Sequence, residues 1–446
     1  MDSTTSTLRA YRDALYHCFT RARDALFDLC DALATHVSAR SFVDLSQAAC
    51  FQRRWSSVYA ALEDGAIDRP ALRQVFVQTA PQPAAGARLV LALDSSPIPR
   101  PYARTAADRT LVHVPAEGRV LPPHTAPVTP GWAFSTLVVV PQPVSSWTHI
   151  LDNRRIRSDQ TAGQVAALQL ADVLPLLPQR PVCLLDGAYG NAPWVEASAG
   201  LPCDQLVRVA TTRVLYRPAP PRTGKRGAPR KDGARFKGSD PATHGPPDAT
   251  WTGTDDQGHA AVTVRCWGRL HLKACRDVPI TAVCLTRAGA AGTKRDPRDT
   301  WFWWLGGQAL PPLDELARLY PRRCGMEHGY RFDKQDLLWT APHLRTPAQM
   351  ERWTDVVSAV HNEIGLAREL VQAQRLPWEA PTRPLTPRQV RRGLARIMVQ
   401  VGTPALPPRP RGKSPGRPRG AVIPPAPRHP VIRKGPPRRS KRRRGA

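Results

Sequence analysis

Two apolar runs, each stopping at an aspartate, constrain this chain more than any other feature. Residues 89–93 (LVLAL) lead into Asp94, and residues 182–185 (VCLL) lead into Asp186 within LLDGAYGN. Short apolar runs bounded by turn residues read as strands buried on both faces. Residues 131–140 (GWAFSTLVVV) read as a second strand and 147–151 as a third, with Pro141 and Pro143 in the turn between them. Residues 161–174 then read as a helix, with Val165, Leu168, Ala171 and Leu174 along one side and Pro175 ending it. A helix over 191–199 and a strand over 205–209 complete the series. The order is strand, strand, strand, helix, strand, helix, strand, which implies an α/β fold with a mixed sheet between helices. Aspartates at strand ends are also ordinary turn formers, so the pair alone does not specify chemistry.

A third acid stands in a different setting. Residues 320–334 read YPRRCGMEHGYRFDK. The steps from Tyr320 to Arg323, Glu327 and Lys334 are three, four and seven residues. On one α-helix, expected here to run on to about residue 338, those steps share a face. A carboxylate flanked by Arg and Lys suits a metal or acid site that meets a polyanion. A solvated helix with an internal ion pair is the plainer alternative.

The pattern Y-x2-R-x3-E-x6-K resembles the YREK signature of bacterial insertion-sequence transposases with a DDE active site, at all four positions. That resemblance implies an RNase H-like fold, with the first acid on the first strand, the second at the end of the fourth, and the third on a later helix. Asp94, Asp186 and Glu327 occupy those places. It further implies metal-dependent DNA cleavage and strand transfer in cut-and-paste transposition. Two Mg²⁺ ions, replaceable by Mn²⁺, would activate the attacking hydroxyl and stabilise the leaving oxygen. Asp94 would bridge both ions, with Asp186 on one and Glu327 on the other. Arg322, Arg323 and Lys334 would hold phosphates, and Tyr320 would pack or hydrogen-bond beside the strand end. The implied partners are transposon-end and target DNA and a second copy in a homodimeric synaptic complex, in the bacterial cytoplasm at the nucleoid. The competing reading is a transposase-derived DNA-binding protein that no longer cuts.

Charge supports a polyanionic partner. The formal charge is +28, and residues 380–446 carry nineteen Lys and Arg with no acid. Residues 213–238 carry nine bases and one acid, which leaves the rest of the chain nearly neutral. Such segments read as arms for nucleic acid, where Lys and Arg release phosphate counterions, or as solvated linkers. Lys225, Arg226, Arg230 and Lys231 form the core of the first arm, which loosely resembles a minor-groove hook. That arm opens an insertion over about 211–304 that reads as β-rich, with strands at 251–253, 261–272 and 278–286 and WFWWLGG at 301–307 closing it. Trp301 is a candidate platform for a base taken out of the stack, whereas Trp303 and Trp304 read as core.

The expected organisation is a helical N-terminal domain at 1–85, an RNase H-like catalytic domain at 86–375 including the insertion, and a Pro- and Arg-rich basic tail at 376–446. The tail reads as largely disordered, apart from a short helical piece near 389–401. Binding of element ends by the first domain rests on the resemblance alone. Nine cysteines without a C-x-x-C pair fit reduced thiols. No apolar run approaches the roughly 20 residues that span a bilayer, and the start of the sequence lacks the pattern of a signal peptide.

Overall fold

The structure is a computed structural model. It describes residues 3–114, 127–140, 145–221, 228–254, 261–287, 299–373, 377–378, 384–409, 416, 418–422 and 424–435. The chain begins with α1 (Ser3–Cys18), the short strand β1 (Phe19–Arg21), α2 (Arg23–Thr35), α3 (Phe42–Leu45), α4 (Ser56–Asp64), β2 (Ala66–Ile67) and α5 (Arg69–Gln78). Then follow β3 (Val90–Pro99), β4 (Thr110–His113), β5 (Val128–Val139), β6 (His149–Ile156), α6 (Ala162–Val173), β7 (Val182–Leu185), α7 (Ala192–Ser198) and β8 (Asp204–Val209).

Five of these strands lie in the order β6-β5-β3-β7-β8. The β3–β5 and β5–β6 pairs are antiparallel, and β3, β7 and β8 run parallel to one another. This mixed sheet with flanking helices is the arrangement expected from the order of apolar runs. Parallel neighbours need long crossovers, and α6 and α7 supply them. The N-terminus of α6 is held by a capping box between Thr161 and Gln164, so the helix starts where the sequence places it.

Beyond β8 the sheet continues rather than ending. The strands β9 (Val214–Tyr216), β10 (Arg235–Lys237), β11 (Ala249–Thr254), β12 (Ala261–Leu272), β13 (Cys275–Arg287) and β14 (Thr300–Leu305) follow in sequence. β14 pairs antiparallel with β8, β13 with β14, and β12 with β13. The segment between the second and third candidate acids thus returns to the sheet it left and covers the β8 edge, which removes an open row of backbone donors and acceptors.

The chain closes with α8 (Leu313–Leu319), α9 (Cys324–Gln335), α10 (Pro347–Leu366), α11 (Arg368–Ala373) and α12 (Pro387–Val401). Strand alternation sorts the core into two faces. Leu91, Leu93, Cys183, Leu185 and Val207 pack on one side with α6 and α7. Val90, Ala92, Val182, Leu184 and Leu206 pack on the other with Leu316, Leu319 and Met326 of α8 and α9.

The helices of 1–85 do not close a core of their own. Leu8, Leu15, Leu26, Leu29 and Leu33 share one cluster with Trp353, Val356 and Val360 of α10 and with Val390, Leu394 and Ile397 of α12. At its centre the buried Arg12 bridges Asp31, at 2.7 Å, and Glu363. The basic segment after residue 376 accordingly contributes a packed helix. α12 opens on a capping box of Thr386 and Gln389 and buries Val390 and Leu394.

Candidate active site

Side-chain alternation aims the first two acids. Asp94 has the parity of Val90 and Ala92, and Asp186 has that of Val182 and Leu184, so both project toward the α8–α9 face. The parallel pairing matches Leu93 with Leu185, which brings Asp94 on β3 beside Asp186, the residue just past the end of β7. β7 ends before Asp186, as expected, and the carboxylate accepts the amide of Ala188 at 2.9 Å to start a 3₁₀ turn. β3 does not end at Asp94. It continues to Pro99 because residues 95–99 pair with β5, so Asp94 lies mid-strand, with its carboxylate accepting the amide of Ser95 at 2.7 Å.

Tyr320, Arg323, Glu327 and Lys334 do not share one helix. Tyr320–Arg323 is a 3₁₀ turn, and only Glu327 and Lys334 lie on α9, which ends at Gln335 rather than near residue 338. The tighter turn swings Arg323 over the two strand acids. Its Nη2 donates to Asp94 Oδ2 at 2.6 Å and lies 4.0 Å from Asp186 Oδ2, while its Nη1 lies 3.6 Å from Glu327 Oε1. One guanidinium, its side chain 10% exposed, therefore faces all three acids. Two oxygens that reach one nitrogen at 2.6 and 4.0 Å lie within about 7 Å of each other, a gap that ions about 4 Å apart can span. Glu327 is the outermost of the three, with its side chain 69% exposed.

The electrostatics follow from this crowding. Burial raises the pKa of Asp94, the charges of Asp186 and Glu327 raise it further, and Arg323 opposes them. Arg323 loses by burial but gains more from Asp94, Asp186 and Glu327, so its pKa rises. Tyr320 packs against Phe302, with ring centroids 4.7 Å apart, and burial raises its pKa. Lys334 lies over the Tyr330 ring, its Nζ 5.6 Å from the centroid.

Two sequence-based assignments are corrected here. Arg322 is buried and its Nη2 donates to the Val140 carbonyl at 2.8 Å, so it braces the sheet instead of meeting DNA. Trp301 is 4% exposed and stacks on Trp267 at 5.5 Å, with Phe236 and His244 around it, so no face is free for a base. Trp303 and Trp304 are buried, as expected. Arg230 and Lys231 are exposed, whereas Lys225 and Arg226 lie outside the described residues.

Two tyrosines of the site were not singled out from sequence. Tyr330 donates its hydroxyl to the Asp94 carbonyl at 3.0 Å and so ties α9 to β3. Tyr189 is buried, and its pKa is driven up by desolvation and by Asp94 and Asp186. Its hydroxyl has no hydrogen-bond partner among the described residues. Each follows a candidate acid by three residues, Tyr330 after Glu327 and Tyr189 after Asp186, and that spacing was the available signal.

The donor set fits a hard divalent cation. It consists of carboxylate oxygens gathered round one positive charge, with an unpartnered hydroxyl beside them. As the side chains stand, no three His, Cys, Asp or Glu among the described residues form a ready metal cluster, and the Arg323 guanidinium lies among the three acids. All nine cysteines are free thiols. Among the described residues no helix is long and apolar enough to cross a membrane.

The profile of the family described as DDE superfamily endonuclease matches residues 14–269, more than half of the chain. The match spans Asp94 and Asp186 and stops short of Glu327. No curated protein matches the sequence.

Proposed function

Because this chain belongs to the DDE superfamily endonuclease family, we propose that it is a DNA transposase of the YREK insertion-sequence type, cutting element ends and joining them to target DNA. The observation that carries this reading is the single Arg323 guanidinium facing Asp94, Asp186 and Glu327. Family membership accounts for DNA as substrate. The four-residue signature and the placement of the third acid on α9 point to the narrower class.

Asp94 and Asp186 would hold divalent ions from the sheet and Glu327 from the helix. Two Mg²⁺ ions would supply Lewis-acid activation of the attacking oxygen and stabilisation of the leaving one. The chain's own residues do the positioning. β3 carries Asp94, the turn that follows β7 carries Asp186 beside it, and Tyr330 pins α9 to the Asp94 backbone. Arg323, once displaced from the acids, is placed to take up a DNA phosphate beside them, and its fixed fork suits that partner. Synapsis of two element ends by a homodimer and placement of the chain at the nucleoid belong to this proposal.

Glu327→Gln is the test. It keeps shape and removes charge at the most exposed of the three acids. Cleavage of a linear duplex carrying the element's inverted repeats should fall by at least a hundredfold in Mg²⁺ or Mn²⁺, with duplex binding in Ca²⁺ unchanged or tighter. Full cleavage by this variant would remove Glu327 from the site. Wild-type protein that binds the ends and never cuts would favour the silent DNA-binding alternative.

A further inference from the structure

Tyr189 carries a polar atom that the metal-free fold leaves without use. It closes the 3₁₀ turn Gly187–Tyr189, which follows Asp186 directly. Its amide donates to the Asp186 carbonyl at 3.2 Å, while the Asp186 carboxylate takes the amide of Ala188. The turn thus folds back over its own acid. The ring is held from the other side. It packs edge-on to Trp194 of α7, with centroids 5.0 Å apart, and Trp194 Nε1 donates to Gln205 of β8 at 2.9 Å. Tyr189 is 2% exposed, and its hydroxyl has no hydrogen-bond partner among the described residues. A buried donor without an acceptor costs free energy, and phenylalanine would fill the same space without that cost.

Two observations put the hydroxyl beside Asp94. Burial drives its pKa up, and the charge of Asp94 adds more than that of Asp186. Burial also raises the pKa of Tyr330, with Asp94 and then Tyr189 adding to it, and the Tyr330 hydroxyl lies 3.0 Å from the Asp94 carbonyl. The carboxylate oxygens of Asp94 are already taken. Oδ1 accepts the Ser95 amide at 2.7 Å, and Oδ2 accepts Arg323 Nη2 at 2.6 Å. Asp186 Oδ1 accepts Ala188, and Asp186 Oδ2 accepts no hydrogen bond among the described residues, with Arg323 4.0 Å away. Tyr189 does not take that open oxygen, although it stands on the same turn. The acceptor left for it is the one that Arg323 covers.

We infer that Tyr189 is a positioning residue for the metal-loaded site: once Arg323 leaves Asp94 Oδ2, the Tyr189 hydroxyl donates to that oxygen and holds the carboxylate in place for the ion. The inference rests on the metal-dependent reading above. A carboxylate oxygen has two lone pairs, so Oδ2 can face an ion with one and the hydroxyl with the other. Outer hydrogen bonds of this kind orient the ligating group, and their loss typically costs about 10- to 100-fold in metal affinity.

Tyr189→Phe removes the hydroxyl and keeps the ring. Full-length wild type, Tyr189→Phe, Arg323→Ala and the double variant would be unfolded in urea with EDTA. Binding of Ca²⁺ and Mn²⁺ to wild type and Tyr189→Phe would be followed by titration calorimetry. In the wild-type background Tyr189→Phe should unfold at the same urea concentration or a higher one, because an unpaired buried donor is gone. In the Arg323→Ala background it should unfold at a lower one, because there the hydroxyl already holds Oδ2. That reversal of sign isolates the pairing with Asp94. Ion affinity should fall about tenfold or more. A merely structural hydroxyl would lower the midpoint in both backgrounds and leave ion affinity alone.

Three results would overturn the inference. They are a lower midpoint for Tyr189→Phe in the wild-type background, no loss in the Arg323→Ala background, and ion affinity equal to that of wild type. Wild type that takes up neither ion would instead overturn the metal-dependent reading. The Arg323→Ala arm would then still decide whether Tyr189 and Asp94 pair.

Discussion

Replacing Arg323 by Gln removes one charge from the centre of three acids. Its Nη2 lies 2.6 Å from Asp94, with side chains 10% and 21% exposed. A hydrogen bond to a charged partner contributes about 1.5–3 kcal/mol net, and a unit-charge pair about 4 Å apart near a protein surface interacts by about 4 kcal/mol. The metal-free variant should therefore lose about 2–4 kcal/mol of stability at pH 7.5. The sign with pH is fixed by Asp94. Its folded pKa is raised, so ionising it costs stability above that pKa, and the cost is relieved as pH falls through it. Without Arg323 the pKa rises further, so the deficit should be larger at pH 7.5 than at pH 5. Added Ca²⁺ should reverse the order of benefit. In wild type an ion competes with the guanidinium for the same oxygens, and in the variant it does not. If about 1.4 kcal/mol of that competition is removed, Ca²⁺ affinity rises tenfold. Urea unfolding followed by tryptophan fluorescence, in EDTA and in Ca²⁺, reads the stability, and titration calorimetry reads the affinity. A variant as stable as wild type in EDTA, or one that binds Ca²⁺ no better, would refute the idea that Arg323 fills the cation position.

Two further outcomes are expected. Burial lowers the pKa of His149 to about 4, and neutral His149 sits 2.8 Å from the Phe76 carbonyl, so its contribution is complete above pH 6.5 and lost as pH falls toward 4. That loss is about 3 kcal/mol, and His149→Gln should flatten this limb of an unfolding-versus-pH curve, an unaltered limb assigning it to other groups. Trp301→Ala should lower stability by about 3–5 kcal/mol with the salt dependence of DNA binding unchanged, whereas a stable variant with weakened DNA binding would restore the stacking role.

The apolar runs made the sheet legible. LVLAL and VCLL are buried on both faces, so each reads as a strand whatever surrounds it. Asp94 seemed to end its strand because hydrophobicity stops there, whereas pairing continues through Ser95 and Ser96 to Pro99 on hydrogen bonds with β5. Trp301 looked available because an aromatic run carries no record of which side is covered. In β14 both sides are covered, Trp301 and Trp303 facing one core and Phe302 and Trp304 the other. Arg322 and Arg323 are adjacent bases that sequence cannot rank. A 3₁₀ turn sends one to Val140 and the other to the acids. The helices before residue 85 read correctly as amphipathic, but their apolar sides match α10 and α12, more than 260 residues away, which no local pattern encodes.

That remote packing bears on the site through α9. The third acid is only as well placed as the helix that carries it, and α9 is fastened at three levels. Tyr330 ties it to the Asp94 carbonyl. Asp333 turns the other way and meets His361 Nδ1 of α10 at 2.6 Å, while His361 Nε2 reaches Thr148 at 3.1 Å. Close approach completes the attachment. A Cβ at Gly325 would stand 3.0 Å from the Ser145 carbonyl oxygen, and one at Gly329 would stand 2.7 Å from Thr148 Oγ1, so these glycines let the helix lie directly on the chain entering β6. α10 is in turn bound to β6 by Asn362, which donates to and accepts from the Ile150 backbone at 2.8 Å, and to the N-terminal helices by Glu363 through Arg12. The helical layer is thereby part of the scaffold that holds α9, and Glu327 on it, beside the strands that carry Asp94 and Asp186.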